Sequence, residues 1–150
     1  MLSLESKSHD LGGGMIVRRI LPQIKKRMVG PICFLDHMGP VNVEPNQNID
    51  VRPHPHIGLS TLTYLFEGQQ VHRDSLGNVV TILPGEVNWM KSGSGIVHSE
   101  RSVESDRSIS RRVHGLQFWI ALPDEQENDS PAFWHYDRTE IPSMENENYK

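Results

Sequence analysis

Glycine and proline break this chain so often that little room is left for a long helix. The 150 residues include 12 Gly and 10 Pro. Between these breaks, apolar residues often alternate with polar ones. Alternation sends successive side chains to opposite faces, so such segments read as short strands. Strands are expected over Met15 to Leu21, after the Gly12-Gly13-Gly14 turn, and over Ile32 to His37, closed by Gly39-Pro40. A polar loop from Val41 to Pro53 follows. Ile57 to Phe66 carries the strand formers Thr61, Thr63, Tyr64 and Phe66. Gln70 to Asp74 and Val79 to Leu83 form a hairpin around Ser75-Leu76-Gly77-Asn78. Val87 to Met90, Ile96 to Glu100 and Leu116 to Leu122 complete the set. No amphipathic helix of three turns stands out. The expected fold class is all-β, a single barrel or sandwich with a short polar C-terminal tail.

Composition narrows the function classes. The net charge of −4 and pI near 6.0 leave no long basic stripe to neutralise phosphates, which argues against direct nucleic-acid binding. Lys25-Lys26-Arg27 and Arg111-Arg112 read as solvated strand edges or loops. Cys33 is the single cysteine and has no internal disulfide partner. The N-terminal stretch Met1 to Asp10 lacks an apolar signal segment, and no apolar run approaches a membrane span. A cytoplasmic location is the resulting expectation.

The chemistry concentrates in two short motifs, His54-Pro55-His56 and His98-Ser99-Glu100. In an extended chain, residues i and i+2 share a face. Each motif therefore aims two ligands at one side of its strand, and two facing pairs would offer three nitrogens and one carboxylate oxygen. Pro55 cannot donate to a ladder, which places its stretch at a strand start or a sheet edge. Either pair alone is a common surface accident; together, beside turns, they point to a metal site. Imidazoles and a carboxylate suit several divalent ions, and the lack of thiolates disfavours a closed structural zinc site. His37, His72 and His114 read as hydrogen-bonded or exposed strand residues, and His9 and His135 as surface residues. His72 with Asp74 reads as a surface pair, with support of a metal ligand as the alternative. Trp89 and Met90 read as core, and Arg52 and Lys91 as solvated charges flanking the motifs. No Gly-x-Ser-x-Gly elbow, Walker or dinucleotide fingerprint is present.

Longer blocks surround these motifs. They are Phe34-Leu35-Asp36-His37-Met38-Gly39-Pro40, Arg52-Pro53-His54-Pro55-His56, Thr63-Tyr64-Leu65-Phe66-Glu67-Gly68, His72-Arg73-Asp74-Ser75-Leu76-Gly77, Pro84-Gly85-Glu86-Val87-Asn88-Trp89-Met90 and Gly95-Ile96-Val97-His98-Ser99-Glu100. From Gly13 to Pro123 the chain resembles the pirin family of the cupin superfamily. That resemblance implies a cupin-type jelly-roll β-barrel and a mononuclear metal site with His54, His56, His98 and Glu100 as ligands. It implies Fe(II) first, with Ni, Co, Mn, Cu or Zn compatible with the same donors. Ser60 and Thr61 stand where cupins usually carry a glutamate, an absence that pirins share. The resemblance further implies one of two functions. One is a quercetin 2,3-dioxygenase-like activity on flavonols or related small aromatics, with Glu100 also accepting the substrate hydroxyl proton. The other is a non-catalytic, metal-dependent interaction with a protein partner, a transcription regulator or metabolic enzyme. Since pirins carry two barrels, residues 1–123 are expected to be the N-terminal cupin domain and 124–150 a linker or tail leading to a second domain that is missing here. Apolar surface bared by that absence would be covered by a homodimer.

Overall fold

The computed structural model describes residues 2–12 and 14–144. Eleven strands run in the order β1 (Lys7–Asp10), β2 (Ile16–Leu21), β3 (Ile32–Val43), β4 (Val51–His56), β5 (Leu59–Glu67), β6 (Gln70–Asp74), β7 (Val79–Ile82), β8 (Val87–Lys91), β9 (Ile96–Arg101), β10 (Arg111–Ala121) and β11 (Ala132–Tyr136). Only two single-turn 3-10 segments, Glu104–Asp106 and Asp124–Gln126, interrupt them among the described residues. No helix is long and apolar enough to cross a membrane. The all-β expectation holds, in the form of two antiparallel sheets. One has the order β1-β2-β3-β10-β5-β8-β11 and the other β4-β9-β6-β7. They form a two-sheet, jelly-roll-type arrangement rather than one continuous closed ladder. A core of Met15, Val17, Met38, Val43, Ile49, Leu65, Ile82 and Val113 binds the sheets together. Burying these side chains supplies the main driving force for closing the two layers.

Three segments differ from expectation. First, β3 does not stop at His37 but continues through Gly39-Pro40 to Val43. Gly39 takes a φ of +66°, and a side chain there would collide with the Val113 carbonyl. The strand bends at this point, opposite an irregularity at His114 in β10, and pairing resumes at Val41↔Val113. Proline is tolerated because a bulge needs no donor there. Second, β1 was not expected at all. Its Lys7-Ser8-His9-Asp10 has no apolar alternation, and it is an edge strand paired only with β2.

Third, the segment expected to be linker or tail from 124 onward carries β11, which adds to β8 with Trp134 opposite Trp89. Ala132–Tyr136 of that segment is therefore part of the larger sheet. The strand is short and lies between acidic stretches, so it leaves little periodicity to read. Its approach is held by Ser94 N–H donating to the Asp129 carbonyl at 2.8 Å and by Lys91 Nζ to Asp129 Oδ2 at 3.1 Å. Residues 145–150 of the expected tail, and Gly13 of the expected turn, lie outside the described residues.

Candidate metal centre

Three neighbouring strands of the smaller sheet build the centre. Strands β4 and β9 run antiparallel with His54 directly opposite His98, and β6 lies on the other side of β9. Strand parity then places His54 and His56 on the face shared by His98 and Glu100. Strand β4 is the sheet edge, which accommodates Pro53 and Pro55 without loss of a ladder bond. His56, His98 and Glu100 are buried and His54 is half-buried.

The ligand atoms of His54, His56 and His98 lie within 4.8 Å of one another. His98 Nε2 is 3.1 Å from His54 Nε2 and 3.6 Å from Glu100 Oε1. The compact cluster is thus the three imidazoles, and Glu100 adjoins it through His98. His54 Nδ1 lies 2.8 Å from the Arg52 carbonyl, which can only accept. That bond fixes the hydrogen on Nδ1 and leaves the Nε2 lone pair facing the cluster. Glu100 Oε2 is buried without a hydrogen-bond partner. Such an orphaned oxygen is costly unless a cation or proton meets it. The three imidazoles lie close enough together to hold a divalent metal ion, and Glu100 is the candidate fourth donor.

Electrostatics point the same way. Burial, then the neighbouring His54, pulls the His56 pKa down to about 4. Burial, followed by His54, His56 and His72, pulls His98 down to about 2. Burial pushes the Glu100 carboxyl up to about 8. At neutral pH, without metal, the two histidines are neutral and ready to coordinate, while Glu100 holds a proton. The folded Glu100 carboxyl therefore binds more protons than the unfolded one between about pH 4.5 and 8. Its contribution to the metal-free fold is fully present below that window and is lost as pH rises through it.

Coordination by Glu100 must expel this proton. Metal uptake at pH 7 is accordingly expected to release about one proton per ion. The release should vanish above about pH 9, where the carboxyl has already ionised. Calorimetric titration in buffers of different ionisation enthalpy measures it. Uptake without release at pH 7 would count against Glu100 as a ligand.

A cavity of about 590 Å³ opens onto the cluster, with His54, His56 and Glu100 in its lining. Phe34 and Trp119 form part of its wall, stacked at 4.0 Å between ring centroids. The Trp119 ring meets His56 edge-on at 5.1 Å. Arg19 caps the other side of Phe34 at 4.3 Å and grips Asp36 through two 2.8 Å hydrogen bonds. Sequence reading did not single out this Arg19–Asp36 pair, whose members lie 17 residues apart without a local motif. Of the flanking charges, Arg52 lines the cavity, whereas Lys91 is engaged with Asp129 and is not in its lining.

The other histidines divide sharply. His37 and His114 meet at 2.8 Å through their Nε2 atoms on adjacent strands, apart from the cluster. His135 bonds to Asn88 Oδ1 at 2.8 Å. His72 and Asp74 were expected at the surface, but both side chains are buried, and their 3.0 Å contact sits directly behind His98. Three successive buried residues, Gln70, Val71 and His72, hide the usual alternation of β6.

The pirin family model matches residues 14–120, most of the chain. The chain belongs to the pirin family. A pirin-like protein of Caulobacter vibrioides is 53% identical over 148 residues, covering 97% of this chain and 51% of the relative. A Pseudomonas aeruginosa protein proposed to be a quercetin 2,3-dioxygenase is 48% identical over 131 residues, covering 87% of this chain and 40% of that one. The crystal structure of a quercetin 2,3-dioxygenase from Acinetobacter baumannii superposes with a TM-score of 0.87 at 43% identity. It covers 95% of this chain and 46% of its own length. This pirin-family chain thus spans about half the length of the relatives it matches.

Proposed function

We propose that this chain forms a mononuclear iron(II) centre of the pirin type, with His54, His56, His98 and Glu100 as ligands, and supports quercetin 2,3-dioxygenase-like chemistry on a small aromatic enol. The observation that carries this reading is the compact cluster of three imidazoles beside the unpartnered Glu100 Oε2, on an aromatic-walled cavity. Similarity to quercetin 2,3-dioxygenases supports the substrate class. When bound, the metal supplies a Lewis acid and a point for oxygen activation.

The protein's own contribution is positioning and proton handling. His54 and His98 present ring nitrogens from paired strands, so the ladder fixes their separation. Phe34 and Trp119 give the cavity a flat apolar wall suited to an aromatic ring. Once metal binding has expelled its proton, Glu100 is the candidate base, since Oε2 has no protein partner and can take a substrate hydroxyl proton.

An oxygen electrode tests the proposal. Iron-loaded protein given quercetin is expected to consume oxygen as the flavonol absorbance falls, and Glu100→Gln is expected to lose at least about 100-fold in rate. Tight metal binding with no oxygen uptake on flavonols or catechols would contradict the enzymatic reading and favour a metal-dependent interaction protein.

A further inference from the structure

Behind His98 lies a second hydrogen-bonded chain that the proposed ligand set does not use. His98 Nδ1 is 3.4 Å from His72 Nδ1, and His72 Nε2 is 3.0 Å from Asp74 Oδ2. The Asp74 side chain is fully buried. Its Oδ1 accepts from the Leu76 and Asn78 backbone N–H groups at 2.9 and 3.1 Å. The Asn78 side-chain amide donates to both carboxylate oxygens. Burial pulls the Asp74 carboxyl upward, but hydrogen bonds from His72, Asn78 and Leu76 outweigh it and hold the pKa below the usual range. The carboxylate is therefore a fixed, ionised acceptor.

An acceptor at one end dictates every donor along the chain. Asp74 can only accept, so His72 carries its hydrogen on Nε2. A neutral His72 then has a lone pair on Nδ1 and accepts from His98 Nδ1. His98 in turn carries its hydrogen on Nδ1, which leaves the Nε2 lone pair facing His54 and Glu100. The His72 ring stacks on Phe133, with 4.3 Å between ring centroids and an interplanar angle of 14°. Phe133 belongs to β11, so the last strand of the larger sheet clamps a residue of the smaller one.

We propose that His72 and Asp74 are positioning residues that lock His98 in its Nδ1–H tautomer and so preset its Nε2 as a metal ligand. An ordinary buried pair would stabilise the fold without controlling a tautomer. This relay would do both, because its direction is set by a carboxylate that cannot donate. Metal-bound histidines are commonly oriented by such an acceptor on the ring's far nitrogen, and losing the acceptor weakens binding. Here the acceptor is a second imidazole, with the carboxylate one step further away. The inference rests on His98 being a metal ligand, and its test separates the two claims.

Two measurements decide it. Long-range nitrogen–proton NMR on the metal-free wild-type protein is expected to show His98 protonated at Nδ1 and His72 at Nε2. A cobalt(II) competition titration is then run on wild type, His72→Phe and His72→Gln. Phe keeps the stacking on Phe133 but accepts nothing, whereas Gln restores an acceptor. His72→Phe is expected to bind cobalt about 10–100-fold more weakly, with His98 losing its single tautomer. His72→Gln is expected to recover most of the affinity. Wild-type affinity in His72→Phe, or a wild-type His98 protonated at Nε2, would overturn the relay. Should His72→Phe fail to fold, the wild-type tautomer still decides the question. If wild-type protein with the expected tautomers binds no cobalt, the metal assignment fails, and with it the relay's purpose.

Discussion

His98→Ala is expected to weaken divalent-metal binding by more than about 100-fold, beyond the loss typical of residues that merely orient a ligand. His98 is the hub of the cluster. Its ring centroid lies 4.5 Å from that of His54, 4.9 Å from His56 and 5.2 Å from His72. Its Nε2 also approaches Glu100. Removing the ring would take away one of the four proposed ligands and cut the other three off from the proposed His72–Asp74 relay. His114→Ala is the matched control, because His114 is paired with His37 away from the cluster. A nickel(II) or cobalt(II) competition titration on all three proteins measures the difference. Equal losses in both variants would show that binding is not centred on His98.

Arg19→Met is expected to cost about 3–5 kcal/mol of folding stability. Asp36 is 1% exposed, and Arg19 supplies both of its side-chain hydrogen bonds. Methionine keeps much of the volume but strands a buried carboxylate without a counter-charge. Removing one partner of such a pair is worse than removing both. The double variant Arg19→Met, Asp36→Leu is therefore expected to recover most of the loss. Urea unfolding of the two variants measures it. A loss below about 1 kcal/mol for the single variant would mean that water reaches Asp36 and does the work of Arg19. The pair also shapes the cavity, since Arg19 backs Phe34, which in turn stacks on Trp119.

These features were unequally legible in the sequence. The four proposed ligands followed from strand parity, because i and i+2 must share a face wherever the chain is extended. The hairpin of β6 and β7 followed from its turn residues, and β5 from its β-branched and aromatic run. What parity cannot tell is which face is buried. His72 and Asp74 share a face just as the ligands do, but the polar string Gln70-Val71-His72-Arg73-Asp74 gives no sign that this face points inward. Only pairing with β9 reveals it, by setting His72 opposite Glu100 and Asp74 opposite His98.

The Arg19–Asp36 pair was hidden for a related reason. It joins β2 to β3 through the register Arg19↔Asp36, a long-range choice with no local signature. Strand β11 was hidden because an edge strand needs only one partner and can be short and polar-flanked. The bend at Gly39-Pro40 looked like an end because those residues usually terminate strands. In β3 they instead turn the strand without ending it, as the Val41↔Val113 pairing shows.

The most direct test of the four-ligand centre is anomalous diffraction at the metal edge from crystals of the metal-loaded protein. The account predicts one peak among His54 Nε2, His56, His98 Nε2 and Glu100, with nitrogen distances near 2.0–2.1 Å as found for imidazole ligands. A peak elsewhere, or one at the three imidazoles with Glu100 turned away, would contradict it.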